Sequence, residues 1–246
     1  MRIHNFTINN NSPVFIIAEL SANHNGSLET AIETIHAAKR AGADCIKLQT
    51  YTADTITIDS DKEDFLIKGT IWEGKNLYQL YQEAYTPWEW HEEIFRVAKE
   101  EGLICFSSPF DKTAVDFLEK LDVPAYKIAS FENNHLPLLK KIAKTGKPVI
   151  MSTGISKLSD IEIAVNTLRE NGCNELILLK CTSTYPATAE NSNLNTIPHL
   201  KELFDCEVGL SDHTMGIGVS VAAVALAAYC SRLRAHTHLR IRFTFR

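Results

Sequence analysis

Residues 125–132 read Ala125-Tyr126-Lys127-Ile128-Ala129-Ser130-Phe131-Glu132. The stretch alternates as a strand does, and it ends by setting out a lysine, a serine and a carboxylate together. A lysine in mid-strand is costly to bury unless an anion meets it. One reading is a barrel-interior lysine paired with a core carboxylate. The other is a ligand for a phosphate or carboxylate, with Ser130 as a donor beside it. The second is favoured because the same pattern, an apolar run closing on polar side chains, recurs at several other expected strand ends.

Outward from this strand the chain alternates between strand and helix patterns. Val14–Leu20 is a continuous apolar run closing on Glu19, the mark of a strand buried on both faces. Ser27 can cap a helix with Leu28, Ala31, Ile32, Ile35 and Ala38 on its apolar face, ended by Gly42. Cys45–Thr50 is a second strand. Tyr51 to about Tyr85 is too long for an ordinary connection and reads as functional or lid-like. Thr86-Pro-Trp-Glu89 reads as a capping box with proline in the first turn. Further strands are expected at Ile104–Phe110, Ala125–Phe131, Pro148–Gly154, Leu176–Ser183 and Cys206–Asp212. Between them come helices capped by Asp111 and by a Ser159/Glu162 box, then helices around Leu136–Lys144, Leu194–Phe204 and Val219–Ala228.

Seven such units imply a parallel sheet, doubly wound or closed. No GxGxxG follows the first strand, and polar residues end every strand rather than clustering at one switch point. The expected fold is therefore an α/β (β/α)8 TIM-type barrel spanning residues 1–228. An eighth strand is not evident. Residues 229–246 hold five arginines, no lysine and no acidic residue, whereas the preceding 228 hold four arginines against sixteen lysines. That abrupt shift reads as an atypical basic tail, possibly out of frame, with the barrel truncated in or before strand eight.

A chain of 246 residues suits one large domain. Its net charge of −5 argues against a nucleic-acid surface. No apolar run is long enough for a membrane span, and the polar N-terminus lacks the pattern of a signal peptide. The six cysteines show no CxxC spacing and mostly sit in or beside apolar runs, as expected of buried thiols in a reducing cytoplasm.

The strand ends offer Glu19, Lys47, Gln49, Ser107, Ser108, Lys127, Ser130, Glu132, Ser152, Thr153, Thr182, Ser183, Tyr185, Ser211, Asp212 and His213. Two lysines and a ring of hydroxyls at one mouth suit a small, highly charged anion such as a phosphorylated carboxylate. Glu19 and Glu132 can orient a polar neutral co-substrate or move protons. His213 is the natural metal ligand of the set, though one imidazole alone binds a divalent ion weakly and a lone strand-end histidine is more often a plain hydrogen-bonding group.

Seven stretches, Phe15–Gly26, Ile46–Thr50, Phe106–Phe110, Tyr126–Glu132, Ser152–Gly154, Cys181–Pro186 and Gly209–Thr214, closely resemble the sialic acid synthase family in order and position. Glu19-Leu-Ser-Ala-Asn-His24, Lys62–Gly69 and Pro87-Trp-Glu-Trp-His91 are most similar to its pseudaminic-acid-forming branch. The resemblance implies condensation of phosphoenolpyruvate with an open-chain acetamido sugar, a 2,4-diacetamido-2,4,6-trideoxy hexose, to a nonulosonic acid and phosphate. It implies that Lys47, Lys127, Ser130, Ser152, Ser183 and Ser211 hold phosphoenolpyruvate, with Gln49 and Ser108 also in the substrate site. Ser183 stands where neuraminate-forming members have asparagine. His213 would bind a divalent metal, usually manganese, with magnesium or cobalt as alternatives, and Glu19, Glu132 and Tyr185 would contact the sugar or intermediate.

The family pattern also implies an eighth strand ending in Glu-Lys-His-Phe, whose histidine is a second metal ligand, and a C-terminal antifreeze-like domain that completes a homodimer. Neither is expected in this sequence, and His236 and His238 do not match the motif. The alternatives are a neuraminate or legionaminate synthase, a non-catalytic fragment of such a synthase, or another aldolase on the same barrel.

Overall fold

The computed structural model describes residues 1–9, 11–69, 72–184 and 187–234, with the backbone alone at 232–234. Eight parallel strands close into a barrel: β1 (Phe15–Glu19), β2 (Cys45–Thr50), β3 (Ile104–Pro109), β4 (Tyr126–Ile128), β5 (Val149–Ser152), β6 (Leu176–Cys181), β7 (Glu207–Ser211) and β8 (Cys230–Arg234). Each strand neighbours the next in sequence, and β8 returns to β1. Period-two alternation sends Phe15, Ile17, Cys45, Phe106, Ile150 and Leu179 into the lumen, while Leu48, Ile128, Met151 and Leu178 pack under the helices. A short hairpin, Arg2–Ile3 with Phe6–Thr7, carries Ile3 and Ile8 into the interior cluster.

The expectation of a missing eighth strand is overturned. Cys230–Arg234 pairs with β1 from Cys230↔Phe15 to Arg234↔Glu19, and with β7 from Cys230↔Gly209 to Arg232↔Ser211. Strand pairing is a main-chain property, so the arginine-rich composition that hid this strand does not prevent it. The edges of β1 and β7, which a truncated barrel would leave exposed, are both paired. His236 and His238 lie outside the described residues.

Local signals were mostly followed. Ser27 caps Leu28–Arg40 by accepting from the Thr30 N–H at 3.2 Å, and Asp111 caps Lys112–Lys120 through the N–H groups of Thr113 and Ala114. Two expected capping boxes are corrected. Trp88–Trp90 forms a 3-10 turn before the helix His91–Glu100, and the Thr86 hydroxyl instead meets His24 Nε2 at 3.3 Å. Further on, the helix Leu158–Glu170 begins at Lys157, whose N–H donates to Asp160, so the Ser159/Glu162 box is shifted by two residues. Strand four is also shorter than expected, because Ser130–Glu132 turns into a 3-10 helix.

Ser107 faces away from the lumen into a buried network. His91 Nδ1 lies 3.2 Å from the Pro87 carbonyl, which can only accept, so Nδ1 carries the proton and Nε2 accepts from Thr50 Oγ1 at 2.9 Å. Thr50 Oγ1 in turn meets Ser107 Oγ at 2.7 Å. Burial lowers the His91 pKa from 6.5 to about 4. A depressed histidine pKa means that the unfolded chain binds the proton first. The stability is therefore complete above pH 6.5 and lost as pH falls towards 4. The loss should reach about 3 kcal/mol at pH 4. Urea midpoints followed from pH 7 to pH 4 should fall less steeply for His91→Gln than for the unsubstituted chain, and parallel slopes would refute the assignment.

Candidate active site at the barrel mouth

Because all eight strands run in parallel, their C-terminal ends meet at one mouth. A cavity of about 430 Å³ opens there. Its lining brings together Lys47, Gln49, Ser108, Lys127, Ser130, Glu132, Ser152, Ser183, Ser211 and His213, ten of the side chains expected from sequence. Glu19 sits just beneath, on the inner face of β1, rather than on the lining. Tyr185 lies outside the described residues.

Alternation decides which side chains arrive. Lys47 and Gln49 are two apart on β2, and Ser108 and Phe110 two apart at the end of β3. Lys47 and Glu19 are register partners on adjacent strands, and Lys47 Nζ contacts Glu19 Oε2 at 2.7 Å with both side chains buried. Lys47 Nζ also donates to Ser108 Oγ at 3.2 Å. Lys127 Nζ donates to Ser152 Oγ and to the Ile128 carbonyl, both at 2.6 Å. Glu19 thus compensates one ammonium, and hydroxyl and carbonyl oxygens hold the other in place. That arrangement keeps two cations at one mouth, where a multiply charged anion can meet both.

Ser130 Oγ accepts from the Gly154 N–H at 3.2 Å and hydrogen-bonds the Cys181 sulfur. Gly154 is required there. A Cβ at this position would lie 2.2 Å from Ser183 Oγ and 2.9 Å from Ser130 Oγ. His213 is carried by a loop that Asp212 fixes, since Asp212 accepts from the Thr214 N–H and hydroxyl at 2.9 and 2.8 Å and from the Ser220 hydroxyl at 2.5 Å.

Burial raises the Tyr51 and Tyr81 phenols on the lining, and Glu132 and Cys181 are perturbed as well. Burial pushes Glu132 up to about 7 against the opposing pull of Lys127 and Lys47, and its Oε2 is buried with no hydrogen-bond partner among the described residues. Burial alone would raise the Cys181 thiol, but hydrogen bonds from His213, Ser183 and Ser130 outweigh it and bring the group down to about 6. Cys181 was grouped with the other cysteines as a buried thiol and was not named as a site residue. It lines the cavity instead, as its place two residues before Ser183 on the same face could have indicated. All six cysteines are free thiols.

Tyr51, Ile56, Tyr81, Phe110 and Phe131 also line the cavity and were not singled out from sequence. Tyr51, Ile56 and Tyr81 come from the long connection after β2, whose signals were its length and the Lys62–Gly69 stretch, neither of which points to these three residues. That connection is structured, with helices at Ala53–Ile56 and Leu77–Ala84.

Among the described residues, His213 is the one imidazole on the lining. Among the described residues no three His, Cys, Asp or Glu side chains cluster closely enough to hold a metal ion. An imidazole beside a thiol is not the oxygen-rich set that manganese prefers, so the described donors alone do not make a manganese site. No helix among them is long and apolar enough to cross a membrane.

Comparison with known proteins agrees with this geometry. The family model described as the NeuB family matches residues 34–231. A pseudaminic acid synthase of Campylobacter jejuni is 54% identical over 228 residues, covering 93% of this chain and 66% of that protein. A pseudaminic acid synthase of Helicobacter pylori is 47% identical over 216 residues, covering 88% and 64%. The crystal structure of an N-acetylneuraminic acid synthetase from Leptospira borgpetersenii superposes with a TM-score of 0.84 at 31% identity, over 95% of this chain and 77% of that one. The chain spans about two thirds of the length of the curated relatives it matches. On the family match and the shared barrel, the chain belongs to the NeuB family.

Proposed function

We propose that this chain carries the phosphoenolpyruvate-condensing site of a pseudaminic acid synthase, acting on an open-chain 2,4-diacetamido-2,4,6-trideoxy hexose. The observation that carries the reading is the pairing of Lys47 and Lys127 with Ser108, Ser130, Ser152, Ser183 and Ser211 around one cavity. The lysines and serines bind the phosphate and carboxylate. Carbon 3 of the enol then attacks the sugar aldehyde, forming the new carbon–carbon bond, and the aldehyde oxygen takes up a proton. Water adds at carbon 2 and gives up a proton, and collapse of the tetrahedral intermediate expels inorganic phosphate.

Glu132 is the group suited to move those protons. With a pKa of about 7 and a buried, unpartnered oxygen, it can hold the proton that the aldehyde oxygen needs and recover one from the adding water. Gln49 and Glu19 support the sugar side and the Lys47 ammonium. His213 is the described residue that would hold a divalent cation, which would supply Lewis-acid polarisation of the aldehyde. None of the binding assignments above depends on it.

Phosphate release should be followed with phosphoenolpyruvate, the trideoxy sugar and manganese, beside a chain extended to the full length of the relatives. Release dependent on both substrates is expected. For a protonated acid, kcat/KM should fall as pH rises through about 7. Glu132→Gln should reduce turnover about 100-fold and remove that limb. Turnover with a neuraminate- or legionaminate-type precursor but not the trideoxy sugar would move the assignment to those branches. No release from either length would refute it.

A further inference from the structure

The charged lining of the cavity is complemented by a second set of lining residues that no anion needs. Tyr51 is buried at the start of the long connection, and its ring meets Tyr81 edge-on at 5.8 Å and Phe110 edge-on at 5.2 Å. It thereby fixes both rings against the lumen. Ile56, the last residue of a short helix, lines the same cavity. Tyr81 is half-buried, and its phenol is kept protonated by burial and by the nearby Glu132 carboxylate. So a phenolic donor stands at the edge of an otherwise apolar surface.

These groups discriminate by chemistry. A hydroxyl pressed against Ile56 or the Phe110 ring loses its water and gains no partner, which is unfavourable. A methyl group there is stabilised by leaving water. A secondary amide needs a donor for its carbonyl, and the Tyr81 phenol is one.

We infer that Ile56, Tyr81 and Phe110, braced by Tyr51, form a specificity wall that selects a deoxygenated, N-acylated sugar face over a hydroxylated one. The inference rests on the synthase reading above and assigns the part of the site that chooses the sugar.

Calorimetric titrations of the 246-residue chain would test it, using phosphoenolpyruvate first and then, in its presence, the diacetamido-trideoxy hexose or N-acetylmannosamine. The trideoxy sugar should bind about tenfold or more tightly. Ile56→Gln should bring the two sugars to within about threefold of each other while leaving phosphoenolpyruvate affinity unchanged, and Ile56→Val should retain the preference. Unchanged phosphoenolpyruvate binding also reports that the variant is folded. Equal affinity for the two sugars in the unsubstituted chain, or an unaltered ratio in Ile56→Gln, would overturn the wall while leaving the synthase reading intact. Absence of phosphoenolpyruvate binding would overturn both.

Discussion

Replacing Lys127 with alanine is expected to weaken phosphoenolpyruvate binding by roughly 100-fold or more, without loss of fold. Lys127 lies on β4 with its ammonium buried at the cavity and held by Ser152 and the Ile128 carbonyl. Removing one member of a buried, hydrogen-bonded charge pair costs about 3 kcal/mol, which is roughly a factor of 100 in affinity. Stability should behave oppositely. Burying an ammonium is itself unfavourable, so the unliganded variant should melt at the same temperature as the parent or higher. A merely structural lysine would give the reverse pattern, a lower melting temperature with binding kept. Lys68→Ala is the control. Lys68 pairs with Glu63 at 2.5 Å, but both side chains are largely in solvent, so neither binding nor stability should move measurably. Titration calorimetry and thermal melts on the three proteins decide the matter, and near-parental affinity in Lys127→Ala would remove the lysine from the site.

Lys127 also shows why so much of the site was legible in the sequence. In a parallel barrel every strand ends at the same mouth, so a polar residue at the end of an apolar run is placed by topology alone. Lys47, Ser108, Ser152 and Ser211 needed no further information. Ser107 was the exception, because one step along the strand reverses the face, and it serves the Thr50–His91 network instead. Glu19 reached the right end of the right strand, but its partner across the ladder, Lys47, could be known only from register.

What sequence did not disclose was tertiary in origin. Tyr51, Ile56 and Tyr81 come from a connection whose path has no period to read. The acidity of Cys181 depends on His213, which lies on another strand's loop. The eighth strand was missed for a different reason: composition was allowed to outweigh main-chain pairing, although Cys230–Arg234 needs only its N–H and carbonyl groups to close the barrel.

That closure depends on Gly209, and Gly209→Ala is expected to be among the most destabilising single substitutions in the chain. A Cβ at Gly209 would lie 2.0 Å from the Cys230 carbonyl oxygen, 2.9 Å from its carbon and 2.7 Å from Leu179 Cδ2. Two of these atoms are backbone of the neighbouring strand, so no side-chain rotation relieves the clash. β7 and β8 must separate where Cys230 pairs with Gly209, and the lumen around Leu179 must yield with them. Overpacking without relief costs about 3 kcal/mol or more, a large part of a domain's stability. Gly154→Ala separates this effect from loss of the site. Its nearest clashes are with the hydroxyls of Ser183 and Ser130, which can rotate away. Gly154→Ala should therefore keep most of its stability and lose ligand binding, whereas Gly209→Ala should lose cooperative unfolding near ambient temperature. Urea melts and phosphoenolpyruvate titrations of the pair test both. A Gly209→Ala chain as stable as its parent would mean that β8 does not pack against β7 as described. Closure by Cys230–Arg234 would then have to be abandoned.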